Sequence, residues 1–132
     1  MKRIAVYQRG HVTEEEKKEM TDFIGSIPGA KVADLYWDHD GSERSEFRAL
    51  LTAAREGNVD AIVAQSICRF APSSAECLRV VREMHEHGVR VWFSRERFWS
   101  NELTGRIMMT IIQELAGVAT TSLEAATTVV ER

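Results

Sequence analysis

The sequence predicts an α/β protein with a mostly parallel sheet of four strands, or slightly more, flanked by helices. Short apolar segments alternate along the chain with longer segments whose apolar residues recur every three or four positions, in the order βαβαβαβα. One of the short segments, residues 60–66, is a continuous apolar run, as is typical of a strand buried on both faces of a parallel sheet. Right-handed crossovers are expected between such strands.

The individual elements follow from local patterns. Strands are predicted before residue 8 and at 32–37, 60–66 and 89–94. Helices are predicted at 13–27, from about 45 to a stop at Gly57, from 73 or 74 to a stop at Gly88, and from about 102 to 131. Thr13 and Glu16 form a predicted capping box at the start of the first helix. The stretches 67–72 and 95–101 are predicted to be loops.

Length and composition indicate one globular domain. The chain has 132 residues, of which 44% are hydrophobic and 28% charged, and we assign 1–101 to an α/β body and 102–132 to a long helix of the same domain. We expect no membrane span, because no apolar run is long enough, and no signal peptide, because the apolar segment near the N-terminus is too short. Cys68 and Cys77 do not form a metal-spaced cluster, so we expect reduced thiols, a cytoplasmic location, no metal and no cofactor.

The last predicted helix is long for a domain of this size. About thirty residues at 1.5 Å each give about 45 Å. An apolar stripe follows most of it, formed by Ile107, Ile111, Leu115, Val118, Ser122 and Val129. Because such a stripe needs a partner surface, we predict a homodimer through this helix. The alternative is a second domain of a longer protein that would cover the stripe.

Arginines follow the first three predicted strands. Ligands of open α/β sheets lie beyond the carboxyl ends of the strands, and Arg9, Arg44 and Arg69 are placed there. The guanidinium group matches phosphate oxygens bidentately. Any one of these residues alone is more typical of a solvated surface arginine, but three in successive loops predict a shared anion site.

Several short motifs match one family in order. Tyr7-Gln8-Arg9 matches Y-x-R-[VI]-S. The family's S-G falls at Asp40-Gly41, and its R-P-x-F falls at Arg44-Ser45-Glu46-Phe47. Its motif D-x-[IVL]-[IVL]-V…[SD]-R-[LF]-x-R resembles residues 60–63 leading to Arg69-Phe70. His87-Gly88-Val89 and Thr104-Gly105 fall at the family's fourth strand and long helix. Over nearly its whole length, the chain resembles the N-terminal catalytic domain of the serine recombinases, the resolvase/invertase and large serine integrase family.

The resemblance implies a resolvase-like fold and transesterification at DNA phosphates. In that chemistry a serine hydroxyl attacks the phosphate, leaving a 5′-phosphoserine and a free 3′-OH, and arginines stabilise the transition state without a metal. This chain departs from the motifs at the reacting positions. His11 stands at the position of the nucleophilic serine, and Gly10 precedes it in place of valine or isoleucine. Cys68 replaces an aspartate, and Pro72 replaces the second arginine of the same loop. The long helix lacks the family's Glu-Arg pair at residues 117–121.

These departures favour a domain that has lost strand exchange and acts as a dimerising or regulatory module, with Arg9, Arg44 and Arg69 as vestigial phosphate ligands. DNA contact is expected to be weak or absent, because the net charge is −3 and no Lys or Arg lies between Arg106 and Arg132. One alternative is an active recombinase in which His11 is the nucleophile. Another is a flavodoxin-like anion or nucleotide binder, which no glycine-rich phosphate loop supports.

Overall fold

The structure, a computed structural model, describes residues 2–41 and 43–121, with nothing said of the side chains beyond 115. Within these ranges the strands are β1 (Lys2–Arg9), β2 (Ala30–Asp38), β3 (Ala61–Ala64), β4 (Arg90–Phe93) and β5 (Phe98–Trp99). The helices are α1 (Glu14–Gly25), α2 (Ser45–Arg55), α3 (Ile67–Phe70), α4 (Ser74–Glu86) and α5 (Leu103–Thr121). None of the described helices is both long and apolar enough to cross a membrane.

The strands form one sheet in the order β2-β1-β3-β4-β5. The pairings of β1 with β2, of β1 with β3 and of β3 with β4 are parallel, and that of β4 with β5 is antiparallel. The predicted α/β class with a mostly parallel sheet is therefore confirmed. The central strand β3 is buried along its whole length, which explains why its sequence is apolar without alternation.

Two predicted loops contain regular structure. Residues 67–72 begin with the single-turn helix α3, which starts because Ser66 Oγ accepts a 3.3 Å hydrogen bond from the amide of Arg69. Residues 95–101 contain β5, whose two aromatic residues are buried against β4. Both predictions of loop structure were wrong for these residues, because each element is too short to produce a periodic pattern.

The core lies on both faces of the sheet. On one face α1 packs Met20 and Ile24 against Ile4 and Val63. The other face is larger and is covered by α2, α4 and the start of α5, with Tyr7, Phe47, Phe70, Phe93, Leu50 and Met109 among its buried members. The predicted capping box of α1 is confirmed, since Thr13 Oγ1 accepts from the Glu16 amide at 3.1 Å and Glu16 Oε1 accepts from the Thr13 amide at 3.0 Å.

Helix α5 buries one side and exposes another. Met109 and Ile112 are buried in the core, whereas four large apolar side chains face away from it. These are Leu103 (74% exposed), Ile107 (55%), Ile111 (45%) and Leu115 (54%), and we call them the α5 stripe. The helix is predicted to continue from 122 to 131, but that segment, with Ser122 and Val129, lies outside the described part of the chain. The side chain of Val118 lies outside it as well.

Candidate functional site

The carboxyl ends of β1, β2 and β3 meet at one edge of the sheet, where Gln65 joins two of them. Gln65 is buried directly after β3. Its Oε1 accepts a 2.9 Å hydrogen bond from the amide of Arg9, and its Nε2 donates to the carbonyl of His11 at 3.3 Å and to Glu16 Oε2 at 3.4 Å. The loop that follows β1 is therefore held by a side chain more than fifty residues away.

Gly10 and His11 form the start of that loop. Gly10 has a left-handed φ of 68°, its amide donates to the carbonyl of Asp38 at 2.8 Å, and its carbonyl accepts from Trp37 Nε1 at 2.9 Å. The side chain of Asp40 lies directly against it. A Cβ placed on Gly10 would overlap both carboxylate oxygens and would lie 2.7 Å from Oδ1. His11 follows with an exposed side chain.

Arg69 reaches this loop from α3. Its Nη1 donates to the carbonyl of Arg9 and lies beside Asp40 Oδ1, with both distances 3.3 Å. The side chains of Arg69 and Asp40 are 37% and 67% exposed. Solvent therefore screens the ion pair, and its contribution to stability is small. The structure thus brings Arg69 to the end of β1, with a carboxylate already beside it.

Arg44 is packed inward. It precedes α2 with a left-handed φ of 61°, and its guanidinium carbon lies 4.1 Å from the centroid of the Phe47 ring and 5.9 Å from that of Tyr7. Its Nη2 also donates to the carbonyl of Phe70. A guanidinium stacked on aromatic rings and bonded to a backbone carbonyl stabilises the folded domain.

Asp38 is a buried carboxylate at the end of β2. Its Oδ2 accepts from the Tyr7 hydroxyl at 2.8 Å and from the amide of Phe47 at 3.0 Å, while Oδ1 accepts from the amide of Glu46 at 3.0 Å. Burial alone would raise the pKa of this carboxyl, but these hydrogen bonds and the charge of Arg44 hold the pKa below its usual range. Burial, helped by the bond to Asp38, raises the pKa of Tyr7 to about 12.

Backbone contacts link the three arginines predicted to bind an anion. Arg69 bonds the carbonyl of Arg9, and Arg44 bonds the carbonyl of Phe70, the residue after Arg69. Arg9 Nε is buried and has no acceptor among the residues that the structure describes. The shared anion site of Arg9, Arg44 and Arg69 stays a prediction.

Sequence reasoning did not assign functional roles to Asp38, Asp40 and Gln65. Asp38 and Asp40 follow the strand predicted at 32–37, and Gln65 lies within the apolar strand predicted at 60–66. A glutamine at the end of a run such as Ala-Ile-Val-Ala is the signal that could have identified it, because a buried polar side chain requires partners.

Comparison with known proteins assigns the family. Residues 6–129 match the family described as the N-terminal domain of resolvase. The chain therefore belongs to the resolvase N-terminal domain family, the catalytic domain of the serine recombinases. Among proteins of curated function, none matches this sequence.

Solved structures share the fold. The N-terminal catalytic domain of TP901-1 integrase is 19% identical, with a TM-score of 0.75 over 88% of this chain and 95% of that one. A resolvase family site-specific recombinase from Streptococcus pneumoniae is 17% identical, with a TM-score of 0.76 over 97% and 94%. The C-terminal catalytic domain of ISC1926 TnpA, an IS607-like serine recombinase, is 14% identical, with a TM-score of 0.59 over 96% and 93%. At these identities the likeness concerns the fold.

Proposed function

We propose that this domain retains the serine-recombinase fold without strand-exchange chemistry and acts as a dimerising or regulatory module. The observation that carries the proposal is His11. It stands at the position of the family's nucleophilic serine, exposed at the end of β1, and it supplies an imidazole in place of a hydroxyl. Pro72 at the position of the second arginine removes one cation from the same site.

Two hydroxyl groups near His11 have other roles. Tyr7 is 1% exposed, its hydroxyl donates to Asp38, and its pKa of about 12 disfavours the phenolate that would attack a phosphate. Thr13 Oγ1 accepts the amide of Glu16 as the cap of α1. These contacts support the absence of a substitute nucleophile at the end of β1.

The test is a search for a covalent intermediate on supercoiled DNA that carries candidate crossover sites. The products are separated on a denaturing gel at neutral pH, because phosphohistidine hydrolyses in acid. We expect no protein–DNA adduct and no relaxed or linear product from the wild-type chain. An adduct that forms with the wild type and disappears in His11→Ala would contradict the proposal and favour His11 as an altered nucleophile. Adduct formation by His11→Ser would identify residue 11 as the main defect.

The α5 stripe supports the dimerising role. Leu103, Ile107, Ile111 and Leu115 are spaced by four residues and therefore lie on one side of the helix. All four are at least 45% exposed, although the same helix buries Met109 and Ile112 in the core. A contiguous apolar surface of this kind marks an interface. We infer that it pairs with the same stripe of a second copy.

Sedimentation tests this pairing. Leu115→Glu places a charge within the stripe and is expected to give monomers with an unchanged circular dichroism spectrum. The control is Gln113→Glu, which adds the same charge on another side of α5, where residue 113 bonds Arg82, and is expected to leave the dimer intact. A wild-type chain that sediments as a monomer at tens of micromolar would refute the pairing.

DNA contact is proposed to be weak or absent. No lysine or arginine follows Arg106 within the described part of α5, and the chain carries a net charge of −3. Non-specific DNA affinity comes largely from cationic contacts to phosphates and falls steeply with salt. Fluorescence anisotropy with a labelled duplex is expected to show no binding at physiological salt, and salt-dependent binding there would contradict this part of the proposal.

A further inference from the structure

The strand-end site contains an anion of its own. Asp40 Oδ1 lies 3.3 Å from Arg69 Nη1, and the carboxylate rests against the backbone of Gly10, next to His11. We propose that Asp40 sets the ligand specificity of this site, because its carboxylate takes the place beside Arg69 that a bound anion needs and so weakens the binding of phosphate. The inference deepens the proposed function and rests on it, since both concern the same site.

The steric fit between Asp40 and Gly10 supports this role. A Cβ on residue 10 would overlap the carboxylate, so the side chain of Asp40 reaches its position only over a glycine. The left-handed φ of 68° at Gly10 also disfavours a β-branched residue. The family motif given above has valine or isoleucine at position 10 and serine at position 40. Gly10 and Asp40, which both depart from that motif, are therefore neighbours in space. Glycine at residue 10 leaves the room that the carboxylate of residue 40 occupies.

The charges at the site also oppose the binding of phosphate. Nη1 of Arg69 donates both to the carbonyl of Arg9 and to Asp40. The charge of Arg44 stabilises the buried carboxylate of Asp38. Arg9 makes no ion pair with a carboxylate among the described residues. A phosphate that approached the Nη1 edge of Arg69 would meet Asp40 within a few ångströms. Repulsion between like charges at that distance opposes binding.

Titration with inorganic phosphate tests the role of Asp40. The side-chain Nε–Hε resonances of Arg9 and Arg69 are followed by NMR at constant ionic strength in the wild type, Asp40→Asn and Asp40→Ala. Both variants are expected to bind phosphate at least about fivefold more tightly than the wild type, because one negative charge is removed from contact distance. The alanine variant also removes the amide oxygen that Arg69 would bond in the asparagine variant.

Two further variants make the comparison specific. Glu56→Gln removes the same charge from an exposed position after α2, at the opposite edge of the sheet, and is expected to leave phosphate affinity unchanged. Arg69→Gln in the Asp40→Ala background is expected to abolish the gain. Equal affinities in Asp40→Asn, Asp40→Ala and the wild type would overturn the inference, as would an equal gain in Glu56→Gln.

The two proposals fail separately. A covalent DNA adduct of the wild-type chain would refute the loss of chemistry, whatever the phosphate affinities. An unchanged phosphate affinity in both Asp40 variants would refute the specificity role, whether or not an adduct forms.

Discussion

The hydroxyl of Tyr7 donates a 2.8 Å hydrogen bond to Oδ2 of Asp38, and this bond joins the buried ends of β1 and β2. The same carboxylate accepts the amides of Glu46 and Phe47 in the first turn of α2. Arg44, which precedes that helix, provides no side-chain cap. Asp38 therefore caps α2 from the neighbouring strand, and one carboxylate fixes three elements around the candidate site.

Removal of this carboxylate should be costly. Asp38→Ala leaves the two amides and the Tyr7 hydroxyl without their acceptor, and we expect the free energy of unfolding to fall by about 3 kcal/mol. The control is Asp34→Ala on the same strand, where the exposed carboxylate accepts a local bond from the amide of Leu35 and interacts with the hydroxyl of Tyr36. It should cost less than about 1 kcal/mol. Urea denaturation measures both, and equal losses would contradict the capping role of Asp38.

The lowered pKa of Asp38 predicts a direction for the dependence of stability on pH. An unfolded aspartate titrates near pH 3.9. Because the folded pKa lies below that value, the contribution is complete above about pH 5 and is lost as the pH falls through the folded pKa. Asp60, whose pKa is lowered to about 2 mainly by its hydrogen bond from Arg3, acts in the same direction.

We therefore expect the free energy of unfolding to decrease between about pH 5 and pH 2. Asp38→Asn should be less stable at neutral pH and should show a shallower decrease on acidification. Urea denaturation at several pH values measures this, and parallel curves for the variant and the wild type would contradict it.

Gly105 provides an independent test of how closely the start of α5 packs against the backbone of Trp99. Alanine normally stabilises a helix interior by about 1 kcal/mol relative to glycine. A Cβ on Gly105, however, would overlap the carbonyl oxygen of Trp99 and lie 2.9 Å from its carbonyl carbon. Gly105→Ala should therefore destabilise the domain by about 1–3 kcal/mol. Gly25→Ala at the end of α1, where an added Cβ would meet nothing within 4 Å beyond its own stretch of helix, should be neutral or stabilising. Thermal unfolding distinguishes them, and equal stability would refute the close approach.

Gln65 should control the order of the loop after β1. Gln65→Leu keeps the volume but leaves the amide of Arg9 without its acceptor. We expect faster hydrogen exchange at that amide and a loss of about 1–3 kcal/mol in the free energy of unfolding. An unchanged exchange rate at Arg9 would contradict the role assigned to Gln65. The exchange rate of Val63, in the middle of β3, serves as the internal control.

The main helices could be predicted from the sequence because each buries a periodic set of side chains, and β3 could be predicted because it is a continuous apolar run. In α2, for example, the apolar residues recur at helical spacing on one side, and all four are buried, namely Phe47, Leu50, Leu51 and Ala54. The single turn of α3 and the two-residue β5 depend instead on one capping bond and one edge pairing. A window of several residues does not detect contacts of that kind.

The candidate site was predicted less completely for a related reason. Strand-end positions identified the segments around Arg9, Arg44 and Arg69, since parallel topology brings those ends together. The contacts within the site join residues far apart in sequence, such as Arg69 with Asp40 and Gln65 with Arg9. Packing also decides that Arg44 lies over Phe47, although its position in the sequence is equally compatible with an outward guanidinium.

The contact between Gly10 and Asp40 makes the order of mutations matter. Valine at residue 10 meets the carboxylate while Asp40 is present, whereas serine at residue 40 removes both carboxylate oxygens from that contact. A path towards the family motif must therefore change residue 40 before residue 10. A scan of single substitutions would score residue 10 as intolerant, and only the pair would separate the clash with Asp40 from the strain of a side chain at a left-handed φ.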